Sequence, residues 1–149
     1  MKIGIVGNGF VGSSVAFGFS AQTGCDADVK IYDKDMSKGT HKLDEVINSS
    51  DYIFVSVPTP SNEDGSINLD VVYDIFNQMN DINNRTNNVF LLRSTVTPGT
   101  TRKIQRKFRN LNIVFNPEFL TERSAKLDFI NQARFILGGR KKDVNKVEK

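Results

Sequence analysis

The sequence is short of the residues that build metal centres and cross-links: one cysteine, Cys25, and one histidine, His41, in 149 residues. A single cysteine excludes an internal disulfide, and one of each excludes the usual Cys/His zinc clusters. No metal is therefore expected. No apolar run approaches the roughly 20 residues that span a bilayer. The opening Met1-Lys2-Ile3-Gly4-Ile5-Val6-Gly7 has neither the long apolar stretch nor the small-residue cleavage site of a signal peptide. A cytoplasmic protein with no membrane partner is the expectation. Internal repeats, low-complexity tracts and a linker between two cores are also missing.

What is present is the balance of a globular domain, 38% hydrophobic and 25% charged. The net charge of +3 is unevenly spread: residues 1–74 hold 5 Lys/Arg against 11 Asp/Glu, and residues 75–149 hold 15 against 6. The basic residues of the second half, such as Arg102, Lys103, Arg106, Lys107 and Arg109, scatter over one helix-like surface, so no nucleic-acid partner is expected. A cleft for anionic ligands accounts for part of the excess.

Strand-length apolar runs alternate with helix-like segments, the pattern of a parallel sheet covered on both faces. The strands read Lys2–Val6, Val29–Tyr32, Tyr52–Val57, Val89–Arg93, Asn112–Phe115 and Arg134–Leu137. The helices read Gly9–Ala21, Leu43–Asn48, Leu69–Asn80, Pro98–Phe108 and Glu122–Asn131. Thr97 is placed to cap the fourth helix and Pro98 suits its first turn. Val72, Ile75, Phe76 and Met79 share one face at helical spacing and read as core. The expected architecture is a Rossmann-type doubly wound α/β sheet over residues 1–139, followed by a polar tail, 140–149, that frays or begins a helix.

Gly7-Asn8-Gly9-Phe10-Val11-Gly12 is a G-x-G-x-x-G that directly follows the first strand and opens the first helix. In that setting the first glycine permits a tight turn, the second lets a pyrophosphate approach the backbone, and the third lets helix pack on strand. The helix N-terminus offers unpaired N–H groups to the phosphates. Asp33 ends the second strand, 21 residues after Gly12, where a carboxylate accepts hydrogen bonds from the adenosine ribose. It would repel a 2′-phosphate, which favours NAD over NADP, although Lys34 and Lys38 lie close by. The competing reading is a ligand-free glycine turn with Asp33 as an ordinary strand-end cap.

Four further segments are more distinctive: Val57-Pro58-Thr59-Pro60; Asp64-Gly65 ahead of Leu69-Asp70; Ser94-Thr95-Val96-Thr97-Pro98-Gly99-Thr100; and Asn116-Pro117-Glu118-Phe119-Leu120. In this order the set closely resembles the UDP-glucose/GDP-mannose dehydrogenase family, from Met1 to about Gly138. The resemblance implies oxidation of the C6 hydroxyl of a nucleotide sugar to a carboxylate, with two NAD+ and covalent intermediates on a cysteine. It implies that Thr59 and Thr95 line the nicotinamide side of the cofactor site, beside Gly7, Gly9, Phe10, Val11, Gly12 and Asp33. Thr95 and Glu118 would position water and protons at the reacting carbon. Glu122 would assist hydrolysis, and Phe119 and Leu120 would touch the sugar through backbone groups.

The family's cysteine lies downstream in a Gly-rich segment with Pro-Lys-Asp, which nothing in this sequence matches. Cys25, flanked by Asp26 and Asp28, does not replace it, because neighbouring carboxylates raise a thiol pKa. The lysine and asparagine that hold the substrate are likewise unmatched. Alone the chain is expected to be inactive, with a homodimer or a separate cysteine-bearing domain as its partner. The stretch from Asp33 to Asp51 is shorter than in typical members, so the sheet should lack the family strand beyond Val29–Tyr32 and leave an exposed edge. His41 falls in this loop and reads as solvated. Arg93 stands where lysine is usual, and Thr121 and Arg123 flank Glu122 atypically. Two alternatives stand beside this reading: a dehydrogenase of the hydroxyacid or 6-phosphogluconate type, and a non-catalytic dinucleotide-binding module.

Overall fold

A computed structural model describes residues 1–148. β1 (Lys2–Val6) turns into α1 (Phe10–Gly18), and a short 3-10 turn (Ala21–Thr23) precedes β2 (Asp28–Tyr32). Then come α2 (Leu43–Ser49), β3 (Tyr52–Val55), α3 (Asp70–Ile82), β4 (Val89–Leu92), α4 (Thr100–Lys107) and β5 (Ile113–Phe115). α5 (Ala125–Asn131), β6 (Gly138–Gly139) and α6 (Lys141–Val147) complete the described chain. The strands form one sheet in the order β2-β1-β3-β4-β5-β6. β1 to β5 are parallel, with Ile5 opposite Ile31 on one side and Phe54 on the other.

Alternation along each strand sends successive side chains to opposite faces. Ile3, Ile5, Phe54 and Leu91 pack on one face against Val15 of α1 and Phe129 of α5. Val6, Ile53, Val55, Phe90 and Leu92 pack on the other against α2, α3 and α4. Val72, Ile75, Phe76 and Met79 of α3 are all buried there, as their helical spacing requires. This is the doubly wound arrangement. The chain leaves β1 for β2 on one side and returns to β3 on the other, so a crevice opens at the carboxyl ends of β1 and β3.

Two local expectations are corrected. The sixth strand is Gly138–Gly139, not Arg134–Leu137, and it runs antiparallel to β5, with Gly139 opposite Val114. The apolar Phe135 and Ile136 suggested a strand, yet both are substantially exposed. Pairing occurs where glycine permits it, since a Cβ on Gly139 would sit 2.9 Å from the Ile113 carbonyl oxygen. Second, α4 begins at Thr100 because Thr97 to Thr100 form a turn: the Thr100 N–H donates to the Thr97 carbonyl at 3.1 Å and Gly99 sits at φ 89°. Pro98 belongs to that turn, not to the helix. As expected, β2 is an edge strand with no further strand beyond it. The N–H groups of Thr40 and His41 both donate to the Ile31 carbonyl at 2.9 Å, so the short loop covers the edge at that residue.

Residues 141–147 form a helix held to the sheet. The Tyr52 hydroxyl donates to the Lys146 carbonyl at 3.0 Å, and Val147 packs on the Ile3–Phe54 cluster. Among the described residues no helix is long and apolar enough to cross a membrane.

Candidate functional site

The turn from β1 into α1 is shaped by two glycines that could not be replaced. Gly7 has φ +91°, and a Cβ there would collide with the Ser56 carbonyl oxygen. A Cβ on Gly12 would collide with the Gly7 carbonyl oxygen, so the first turn of α1 lies directly against the end of β1. Gly9 differs: nothing lies within 4 Å of where its Cβ would stand. It faces open space at the N-cap of α1, and no side chain caps the helix. The first amides of α1 are therefore free to meet an anion, helped by the helix dipole.

Asp33 lies just beyond β2. Its Oδ2 accepts the Asn8 N–H at 2.6 Å and its Oδ1 accepts the Asp35 N–H at 2.8 Å. The Asn8 side-chain amide donates to the Lys38 carbonyl at 2.7 Å. The loops after β1 and β2 are thus joined through Asn8, while the carboxylate keeps lone pairs for a further donor.

A cleft of about 460 Å³ runs along the carboxyl ends of the strands. The β1–α1 turn contributes Gly7, Gly9, Phe10 and Val11, and the loop after β2 contributes Asp33 and Lys38. Ser56 to Thr59 follow β3, Arg93 to Thr95 follow β4, and Glu118 follows β5. Ser94 ties two of these ends together, its hydroxyl donating to the Val57 carbonyl at 2.7 Å. A second groove of about 660 Å³ shares Gly7, Asp33, Val57 and Pro58 and continues past Tyr32, Val71, Ile75 and Gln78. Its α3 wall escaped the sequence reading, in which Ile75 is only a core position.

Arg93 also escaped it as a site residue. It is 1% exposed, with Nη1 donating to the Asn116 side-chain oxygen and the guanidinium carbon 5.5 Å from the centroid of the Phe129 ring. Burial lowers its pKa to about 10, and the nearby charge of Glu118 opposes that shift. Nε and Nη2 are buried without a partner. A signal existed: a cation closing the otherwise apolar run Val89–Leu92, inside a sheet covered on both faces.

Of the sequence candidates, Gly7, Gly9, Phe10, Val11, Asp33, Thr59, Thr95 and Glu118 line the one cleft, with Gly12 packed beneath it. The structure does not bring Glu122 there. The Ser124 N–H donates to the Thr121 carbonyl at 2.9 Å, and the Asp128 carboxylate holds the Thr121 N–H and the Ser124 hydroxyl. That turn places Glu122 in an adjoining groove that shares Phe10 with the cleft and includes Ser13 and Ser14. Phe119 and Leu120 line another groove, with Asp128, Gln132 and Ile136. The Leu120 N–H donates to Glu118 Oε2 at 2.6 Å. Cys25 is exposed and lies outside the cleft lining. Among the described residues no group of three or more His, Cys, Asp or Glu is placed to hold a metal.

Comparison with known proteins gives this cleft a context. The model of the UDP-glucose/GDP-mannose dehydrogenase family, NAD binding domain, matches residues 31–149. The chain belongs to this family. A UDP-glucose 6-dehydrogenase of Campylobacter jejuni is 31% identical over 167 aligned positions, covering 93% of this chain and 42% of the relative. A second, from Haloferax volcanii, is 28% identical over 176 positions, covering 93% and 41%. Both alignments are longer than the stretch of this chain they use, so those relatives carry residues that it lacks. The fold is shared with a ternary complex of GDP-mannose dehydrogenase from Pseudomonas aeruginosa, at TM-score 0.82, 22% identity and coverage of 99% of this chain and 43% of that one. The UDP-glucose dehydrogenase of Pyrobaculum islandicum superposes at TM-score 0.81 with the same identity and coverage. The chain spans less than half the length of these relatives. Membership in the family sets aside the hydroxyacid and 6-phosphogluconate alternative, and identifies the chain as an NAD-binding domain.

Proposed function

We propose that the cleft grips NAD+ and serves the oxidation of the C6 hydroxyl of UDP-glucose or a similar nucleotide sugar to the carboxylate. The observation that carries this reading is the contrast among the three glycines: Gly7 and Gly12 are closed by backbone contacts, whereas Gly9 is open to a ligand. The pyrophosphate lies over Gly9 and the first amides of α1, including Phe10 and Val11. Asp33 accepts the ribose hydroxyls, and the groove past Tyr32, Ile75 and Gln78 takes the adenine. NAD+ bound there supplies the hydride acceptor.

Thr59 and Thr95 orient the far end of the cofactor at the tips of β3 and β4. Glu118, which lines the same cleft as Thr95, orients water and carries protons at the sugar carbon, the role a positioned carboxylate can perform. Glu122, in the groove that adjoins the cleft at Phe10, assists the hydrolysis step from outside the cleft lining. A cysteine-bearing domain supplies the covalent step, and the nucleotide sugar binds between the two. A separate cysteine-bearing domain completes the enzyme, and a homodimer is the expected assembly. The exposed free thiol of Cys25 suits a reducing cytoplasm.

Calorimetric titration of this chain with NAD+ and NADH tests the reading. Saturable binding, lost in Gly9→Val, is expected. Absence of binding by both at millimolar concentration overturns it.

A further inference from the structure

We infer that Arg93 is the positioning residue for Glu118: its unfilled side-on edge receives the Glu118 carboxylate and fixes it at the reacting end of the cleft. For the carboxylate's chemical role the inference rests on the proposed function; for the pairing itself it does not.

The guanidinium is fixed on two sides. Nη1 donates to the Asn116 side-chain oxygen, and Asn116 is anchored in turn by donating to the Ile136 carbonyl at 3.0 Å. The ring of Phe129 lies under the cation. What remains is Nε and Nη2, both buried and both without a partner. These are the two parallel donors of the guanidinium side edge, spaced to grip both oxygens of a carboxylate. Arg93 belongs to none of the ion pairs among the described residues. A buried cation with its bidentate edge unfilled is costly, so a partner is implied.

Two carboxylates line the same cleft, Asp33 and Glu118. Both oxygens of Asp33 already accept a backbone N–H, from Asn8 and Asp35. Glu118 is near enough for its charge to favour the charged form of Arg93, and only its Oε2 is engaged, by the Leu120 N–H. A change of side-chain rotamer exchanges that single bond for the two-donor edge and frees the Leu120 N–H. Of the other charges around Glu118, Lys38 and Asp33 belong to the loop after β2, and Glu122 and Arg123, on its own segment, face a different groove. Arg93 is the cation of the cleft with two buried donors unpartnered.

The test is NMR titration of the Glu118 side-chain carboxyl carbon in this chain, free and with saturating NAD+. The wild type, Arg93→Met and Arg93→Lys are compared. In at least one of the two states the Glu118 titration should move upward from wild type to Arg93→Met, and return most of the way in Arg93→Lys. Equal titration of wild type and a folded Arg93→Met in both states overturns the inference. Should Arg93→Met not fold, Glu118→Gln is read at the Arg93 Nε–H instead. Faster solvent exchange of that proton supports the pairing, and an unchanged proton overturns it. Loss of NAD binding by the wild type would fail the proposed function while leaving the free-state titration interpretable.

Discussion

The Asn8 backbone N–H donates to Asp33 Oδ2 at 2.6 Å, so the glycine turn after β1 and the end of β2 are held as one piece. Asp33 is thus both a candidate ribose acceptor and a brace for the turn over which a pyrophosphate would lie. Asp33→Ala should remove both contributions and weaken NAD+ binding by about 1.5–3 kcal/mol, roughly 10- to 150-fold in Kd, the worth of hydrogen bonds to a charged group. NADP+ should bind the wild type more weakly than NAD+, and the gap should narrow in Asp33→Ala, because the repelling carboxylate is gone. Calorimetry with both cofactors reads the two effects. Equal affinities in wild type and variant would mean that the ribose lies elsewhere.

The glycines of the turn should separate binding from folding. Gly9→Val adds a side chain into open space, so the melting temperature should stay near that of the wild type while NAD+ binding disappears. Gly12→Ala forces a methyl group against the Gly7 carbonyl oxygen and should destabilise the fold by about 1–3 kcal/mol, as overpacking does. Thermal melts and calorimetry on the same two samples check both halves. A Gly9→Val protein that still binds NAD+ removes the cradle from the cofactor site.

Most of the sheet was legible because its signals are local. Alternating Ile3, Ile5 and Ile53, Val55, the glycine pattern after β1 and the spacing to Asp33 each follow from the backbone geometry of a few consecutive residues. What escaped depends on long-range contact. Nothing near residue 134 reveals that the chain returns antiparallel and pairs only at Gly138–Gly139. The path of Glu122 into the adjoining groove is decided by Asp128 holding Thr121 and Ser124, a tertiary arrangement within a polar loop. Arg93 reads as a substituted lysine until the burial of its Nε and Nη2 shows that a partner is wanting.

Asp128 gives the same loop a pH dependence. Hydrogen bonds from the Thr121 N–H and the Ser124 hydroxyl hold its carboxyl below the ordinary value of 3.8. A carboxylate depressed in the folded state stabilises at pH above its unfolded value, and that contribution is lost as pH falls through the folded value. Asp128→Asn should therefore be less stable than wild type near neutrality, and the difference should vanish only in the acid range below about pH 4. Urea unfolding at a series of pH values checks this. A difference that persists undiminished at the lowest pH would assign the loop's stability to packing instead.

The helix after β6 rests on a buried charge with one ionic partner. Asp143 has no exposed surface, its Oδ2 is held by the Arg140 Nε–H, and its Oδ1 has no partner. Arg140 also donates from Nη2 to the Leu111 carbonyl at 2.9 Å, so this one side chain joins α6 to the segment leading into β5. Removing one member of a buried pair costs about 3–5 kcal/mol, because the survivor is left uncompensated. With the Arg140 side chain 33% exposed, solvent screens part of the pair, which places Arg140→Ala at the lower end of that range. Arg140→Ala with Asp143→Ala should cost less than Arg140→Ala alone, since no stranded carboxylate remains. If α6 loosens as a unit, amide exchange should rise through Asp143 to Val147, and the Tyr52 hydroxyl should lose its Lys146 acceptor. Urea midpoints for the two variants, with hydrogen exchange on α6, provide the comparison. A single variant as stable as wild type would show that Asp143 finds its compensation in the first-turn amides of α6 rather than in Arg140.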